Sequence, residues 1–137
     1  MSRQNVDIVR KMYEAANAAG RLDANFDVLA PEVEFHVSGT FPDLDRVYRG
    51  HEGMRELNDR LSDPWEELSL DPQSFIDAGS QVLVLSQFRA RGRDGLEVTR
   101  DTAILWTLRK GRIVRMDAFS HPDGALQAAG LSSPGEA

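Results

Sequence analysis

The first twenty residues place apolar side chains at helical spacing. Val6, Val9, Tyr13 and Ala16 recur at steps of three or four residues, which puts them on one side of a helix. Gly20 follows, and glycine readily adopts the left-handed conformation that ends many helices. The pattern predicts an amphipathic helix with Tyr13 on its apolar side.

The next stretch predicts a second, shorter helix and then a strand. Residues 22–29 form the helical segment, which we expect to end at Pro31 because proline cannot continue a helix. After it, Phe35 and Val37 alternate with polar neighbours, the period of a half-buried strand. This register directs Phe35 toward the core and His36 toward the opposite face.

The remaining chain predicts a third helix and then a series of strands. Met54, Leu57 and Leu61 have helical spacing in a segment that stops before Pro64. Three long strand segments follow, and the last folds back on itself at Gly111. They cover residues 66–77, 81–92 and 96–120, and a short final helix is predicted for residues 122–130.

This order of elements is typical of the α+β class. Helices in the first half and antiparallel strands in the second favour helices on one face of a strongly curved mixed or antiparallel sheet, rather than crossovers between parallel strands. We expect a single domain over residues 1–131. Its short tail, residues 132–137, is rich in serine, proline and glycine, and we predict that it is disordered.

Composition excludes several kinds of function. The 137 residues carry 22 acidic and 16 basic side chains, and a net charge of −6 disfavours nucleic acid as a partner. The chain has no cysteine, and its three histidines form no metal-binding pattern. No apolar run is long enough to cross a membrane and no nucleotide-binding motif is present. We therefore expect a cytoplasmic protein that needs no metal or cofactor.

Four segments carry a resemblance to a known family. They read AANAAGRLDANFDVLAPEVEFHV, YRGHEGMREL, FIDAGSQVLVL and LWTLRKGRIVRMDAFSHPDGALQAAGL. In this order the chain resembles the SnoaL-like proteins of the nuclear-transport-factor-2-like superfamily, over roughly Val6 to Leu131. The resemblance implies a cone-shaped barrel in which a curved sheet wraps around three N-terminal helices, with a largely apolar internal pocket.

The resemblance also implies a homodimer formed through the outer face of the sheet. Apolar residues left on the outward strand positions agree with such an interface. They are Leu83, Leu85, Leu105, Ile113 and Phe119.

The superfamily contains enzymes whose key residues can be matched one by one. Tyr13 stands where the ketosteroid isomerases carry a tyrosine that hydrogen-bonds the developing oxyanion. The base and the second acid of those enzymes fall on Val37 and Ile104, which cannot transfer protons. The Arg and two Asp residues of the limonene epoxide hydrolases fall on Ser86, Phe88 and Ala118, and no inward position matches the acid/base Asp of the SnoaL-type cyclases.

Strand alternation and the family match together predict the pocket lining, a mostly apolar surface with few polar groups. Besides Tyr13, it consists of Phe35, Val37, Trp65, Val84, Ser86, Phe88, Arg100, Thr102, Ile104, Trp106, Met116, Ala118 and Ser120.

Two functions remain open. One is a protein that binds a small, mostly apolar molecule. The other is an isomerase, cyclase or hydrolase of a cyclic or polyketide-like substrate, with Tyr13 as hydrogen-bond donor and His36 or Asp117 as proton carrier. We expect Asp101 and Asp117 to lie outside the pocket unless the register is shifted by one residue. Tyr13 at a core-facing position is equally consistent with simple packing.

Overall fold

The computed structural model describes residues 2–19, 26–37, 47–63, 65–119 and 122–130. Its helices are α1 (Ser2–Ala19), α2 (Gly50–Ser62) and α3 (Pro122–Ala128), together with one 3-10 turn at Phe26–Val28. Its strands are β1 (Leu29–His36), β2 (Val47–Arg49), β3 (Trp65–Ala78), β4 (Gln81–Gly92), β5 (Glu97–Arg109) and β6 (Arg112–Phe119).

All six strands belong to one curved sheet with the order β2-β1-β6-β5-β4-β3. The β1–β6 pair is parallel and the other pairs are antiparallel, so the sheet is mixed. In the described part of the chain, β2 and β3 form the two edges and do not pair, so the sheet stays open. The predicted α+β class and the cone-like arrangement are confirmed.

The main core lies between the inner face of the sheet and helices α1 and α2. Val9, Val33, Phe35, Val84 and Ile113 are completely buried there. Each buried side chain of this kind stabilises the fold by about 1.5–3 kcal/mol relative to an exposed one. The apolar stripe of α1 therefore faces the sheet, as its spacing predicts.

The predicted second helix is wrong over the residues that the structure describes. Only the 3-10 turn is helical; β1 begins at Leu29, and Pro31 lies inside the strand rather than at the end of a helix. The register of β1 with β6 shifts between Leu29 and Glu34, and such an irregularity tolerates a residue without an N–H donor. Residues 20–25 lie outside the described ranges.

Strand β2 has only three residues, too few to give a periodic signal in the sequence. It leads directly into α2 through Gly50, whose φ of +71° is unfavourable for other residues. At Gly53, an added Cβ would lie 3.0 Å from the carbonyl carbon of Tyr48, so a larger residue would push the β2 backbone away from α2. His51 Nε2 contacts the Leu29 carbonyl oxygen at 2.9 Å and joins α2 to the start of β1.

The outer face of the sheet differs from the prediction. Leu83 and Leu105 do face outward, but Ala125 and Leu126 of α3 cover them. Ile113 belongs to the inner core, so its predicted outward position is wrong. Its direction changes because the β5–β6 register shifts between Thr107 and Leu108.

The remaining outward residues, Leu85 and Phe119, are partly buried beside α3. The homodimer stays a prediction. Less apolar surface is exposed to support it than the sequence suggested, because α3 covers part of the outer face.

No described helix is both long enough and apolar enough to cross a membrane. The cytoplasmic location and the domain boundary stay predictions, and the predicted tail at residues 132–137 lies outside the described residues.

The packing of α3 can be tested by shortening one buried side chain. Leu126 is 4% exposed against Leu83 and Leu105, so Leu126→Ala should lower the free energy of unfolding by about 2–4 kcal/mol in urea denaturation. Gln127→Ala, on the exposed side of the same helix, should change it by less than about 0.5 kcal/mol. Equal stability of the two variants would show that α3 does not cover the sheet.

Candidate functional site

A cavity of about 70 Å³ lies inside the cone, between helices α1 and α2 and the inner face of the sheet. Its walls are almost entirely apolar. They are formed by Met12, Tyr13, Ala16, Asn17, Leu29, Phe35, Val37, Met54, Leu57, Leu68, Leu70, Phe88, Thr102, Ile104, Trp106, Met116 and Ala118.

Most of the residues predicted for the pocket do line this cavity. Those that do are Tyr13, Phe35, Val37, Phe88, Thr102, Ile104, Trp106, Met116 and Ala118. The alternation of β1, β5 and β6 therefore has the register expected from the sequence.

Four predicted lining residues lie outside the cavity walls. Val84 is buried in the core, and Ser86 is buried on β4 beside Thr102, its partner on β5. Trp65 is half-buried and contacts the Phe88 ring edge-on at 6.3 Å between centroids. Arg100 is exposed beside Phe88, its partner across β4 and β5. Ser120 lies outside the described residues.

Sequence reasoning missed the contribution of the helices and of β3 to the walls. Met12 and Ala16 flank Tyr13 on α1, and Met54 and Leu57 extend the wall from α2. Their spacing of three or four residues was the available signal, since residues so spaced share a helix face. Apart from Tyr13, the prediction followed strand alternation and the family match.

Tyr13 is the central polar group of the site. It is 4% exposed, and the Trp106 indole N–H donates a hydrogen bond to its hydroxyl oxygen at 3.1 Å. Edge-to-face contacts with Trp106 and Phe75, at 6.0 and 5.8 Å between ring centroids, fix the orientation of the phenol. No described residue accepts a hydrogen bond from the Tyr13 O–H.

Burial raises the pKa of Tyr13 well above its ordinary value of 10.0, because the apolar walls disfavour a phenolate. The hydrogen bond from Trp106 acts in the opposite direction but is the smaller effect. Tyr13 therefore remains a neutral hydrogen-bond donor at physiological pH.

A second polar group consists of two buried hydroxyls. Ser86 Oγ and Thr102 Oγ1 are 2.8 Å apart and bond to each other, and Thr102 Oγ1 lies 3.4 Å from the Ser86 carbonyl oxygen. These two side chains satisfy each other, so Thr102 adds little unmatched polarity to the wall. At the rim, the Asn17 side chain donates to the Leu70 carbonyl oxygen at 3.0 Å and joins α1 to β3.

His36 and Asp117, the proposed proton carriers, lie on the face of the sheet opposite the cavity. His36 Nε2 is 3.0 Å from a carboxylate oxygen of Glu34. This hydrogen bond is the main reason that the pKa of Glu34 is lowered. Asp117 accepts two hydrogen bonds from the Arg115 guanidinium, at 2.9 and 3.0 Å.

His36 and Asp117 therefore do not line the cavity, because each follows an inward residue by one position. Asp101 is exposed on the outer face too, as expected. Within the described ranges, no three His, Asp or Glu side chains come together as a possible metal site.

The comparisons agree with this fold. The chain belongs to the SnoaL-like domain family, whose model matches residues 9–116. This family binds small molecules and includes cyclases and isomerases. The comparison with curated proteins gave no match.

Several solved structures are similar to this chain. An NTF2-like protein of unknown function from Burkholderia pseudomallei shares 25% identity at a TM-score of 0.75, over 93% of this chain and 97% of that one. TerC, co-crystallised with polyporic acid, shares 22% sequence identity at a TM-score of 0.74, over 93% of this chain and 98% of TerC. A putative SnoaL-like polyketide cyclase from Jannaschia sp. CCS1 shares 18% sequence identity at a TM-score of 0.71, over 98% of this chain and 96% of the cyclase. At these identities the likeness is one of fold.

The raised pKa of Tyr13 predicts a specific loss of stability in alkali. Below about pH 10 the phenol is protonated in both the folded and the unfolded chain. Above that pH the unfolded chain loses the proton first, so wild type should lose up to about 1.4 kcal/mol per pH unit relative to Tyr13→Phe. Urea unfolding of both proteins between about pH 9 and pH 11 measures this. Parallel pH profiles would mean that the hydroxyl ionises freely in the folded state.

Proposed function

We propose that this protein binds a small, mostly apolar molecule in the cavity and that the Tyr13 hydroxyl donates a hydrogen bond to it. One observation carries the proposal: the Tyr13 oxygen already accepts from Trp106, while its O–H has no acceptor among the described residues. Tyr13 lines the cavity, so this O–H is placed to meet a bound molecule.

The energetics of a buried hydroxyl support a ligand with an acceptor atom. Leaving a buried donor without a partner costs about 1–3 kcal/mol. A carbonyl or ether oxygen of the ligand would remove that cost, whereas a pure hydrocarbon would leave it in place. The apolar walls add affinity through the area that they remove from water.

The size of the cavity limits the ligand. Pockets for drug-sized molecules enclose about 300–1,000 Å³, several times the 70 Å³ present here. Three wall residues, Met12, Met54 and Met116, have unbranched and flexible side chains that can change rotamer at little cost. The pocket therefore suits a compact molecule, and the methionines allow some expansion around a larger one.

The lining favours binding over catalysis. A tyrosine donor in an apolar site can stabilise a developing oxyanion. The position of Tyr13 in the cavity wall therefore favours an isomerase, cyclase or hydrolase as the alternative function. Such reactions also need a proton carrier within hydrogen-bonding reach of the substrate. The described walls contain no Asp, Glu or His side chain.

Two ligands of nearly the same shape test the role of Tyr13. Cyclopentanone has a carbonyl where methylenecyclopentane has an apolar =CH₂ group. Wild type should bind the ketone about three- to tenfold more tightly, since one net hydrogen bond separates the two. NMR titration of the Trp106 indole N–H signal measures both affinities. In Tyr13→Phe the preference should disappear, whereas Tyr48→Phe, a buried tyrosine outside the cavity walls, should keep it.

A further variant locates the binding. Ala118→Leu places a larger side chain into the cavity and should weaken the binding of both ligands without unfolding the protein. Binding of neither ligand to wild type, or a ketone preference that survives in Tyr13→Phe, would contradict the proposal. Unchanged binding in Ala118→Leu would place the ligand elsewhere.

A further inference from the structure

We infer that the ligand is a small amphipathic carboxylic acid, whose mostly apolar part occupies the cavity with one acceptor oxygen at the Tyr13 hydroxyl and whose carboxylate binds Arg100. This inference rests on the proposed function, because it assigns the chemical class of the ligand for the same cavity.

Strand pairing places Arg100 at the border of the cavity. Leu70 on β3 pairs with Phe88 on β4, and Phe88 pairs with Arg100 on β5. Paired residues on neighbouring strands project to the same face, so the three side chains form one row on the inner face. Leu70 and Phe88 line the cavity, and so does Thr102, the next inward residue after Arg100 on β5. Arg100 therefore flanks the apolar walls without being enclosed by them.

The chemistry of Arg100 suits a carboxylate at this border. Its side chain is exposed, so the guanidinium can meet an anion without the full cost of burying two charges. The planar guanidinium matches the two oxygens of a carboxylate and keeps its charge at physiological pH. An acid bound in this way would leave its charged end in water and its apolar end between the walls.

The position of this charge is unusual within the sheet. Strands β4 and β5 are described throughout, and Arg100 is the one ionisable side chain on their inward positions. The neighbouring charges Arg89 and Asp101 lie on the outward positions, where Arg89 contacts Gln87 and Asp71. Because the net charge of the chain is −6, an anionic ligand needs such a local cation to approach the cavity.

A matched pair of probes tests the inference. Hexanoate and hexanamide have the same slender shape and differ in charge. Wild type should bind hexanoate about fivefold more tightly, the upper range for an exposed ion pair, and the preference should fall as NaCl is raised from about 20 mM to about 500 mM. The Trp106 indole signal again reports binding.

Two glutamine variants distinguish the effect of a charge at the cavity from the effect of the overall charge of the protein. Arg100→Gln should lose the preference for hexanoate while binding cyclopentanone as wild type does, which also shows that the cavity is intact. Arg89→Gln removes the same charge from the opposite face, one pair of residues away, and should keep the preference.

The outcomes separate the carboxylate inference from the proposed function. If wild type binds cyclopentanone but shows no preference for hexanoate, or if Arg100→Gln keeps that preference, the carboxylate inference is wrong and the proposed function stands. If none of the probes binds, the proposed function itself fails.

Discussion

The hydrogen bond between Trp106 and Tyr13 is the interaction on which the site depends. It joins residues 93 positions apart and ties the first helix to the middle of the sheet. The two rings meet edge-on, and Phe75 holds the tyrosine from another direction. The phenol oxygen already accepts from the indole, and no described residue accepts from the Tyr13 O–H. This O–H can therefore donate to a ligand in a cavity whose described walls are almost entirely apolar. Burial keeps this hydroxyl neutral, and it also strengthens the hydrogen bond that the hydroxyl can donate to a ligand.

The twofold alternation of the strands separates two chemical environments. Inward positions form an apolar chamber. Outward positions of β1 and β6 carry Glu34, His36, Arg115 and Asp117, which are held in hydrogen bonds and ionic contacts. A shift of one residue would exchange the two faces, so register decides whether these charged groups could take part in chemistry. In the observed register they pair with one another on the outside. Membership of a family that includes cyclases and isomerases therefore does not supply this chain with a proton carrier.

Much of this arrangement could be predicted from the sequence, and the failures have physical reasons. Alternation in β1, β5 and β6 gave the correct inward residues because one face of each strand is apolar. It gave the wrong direction for Ile113 because the register shifts nearby, and no sequence pattern reveals such an irregularity. The covering of Leu83 and Leu105 by α3 was missed for a related reason: apolar outward residues indicate that something covers them, but not whether it is a second subunit or the same chain. The methionine walls depend on how two helices dock on the sheet, which local patterns do not specify.

A crystal structure of the protein soaked with cyclopentanone would test the central claim most directly. The account predicts one molecule in the cavity between α1 and the sheet, with its carbonyl oxygen about 2.7 Å from the Tyr13 oxygen and the Trp106 hydrogen bond unchanged. A ketone bound elsewhere, or a cavity that stays closed around Tyr13 at saturating ketone, would contradict it. Tyr13 would then be a core residue that fastens α1 to the sheet.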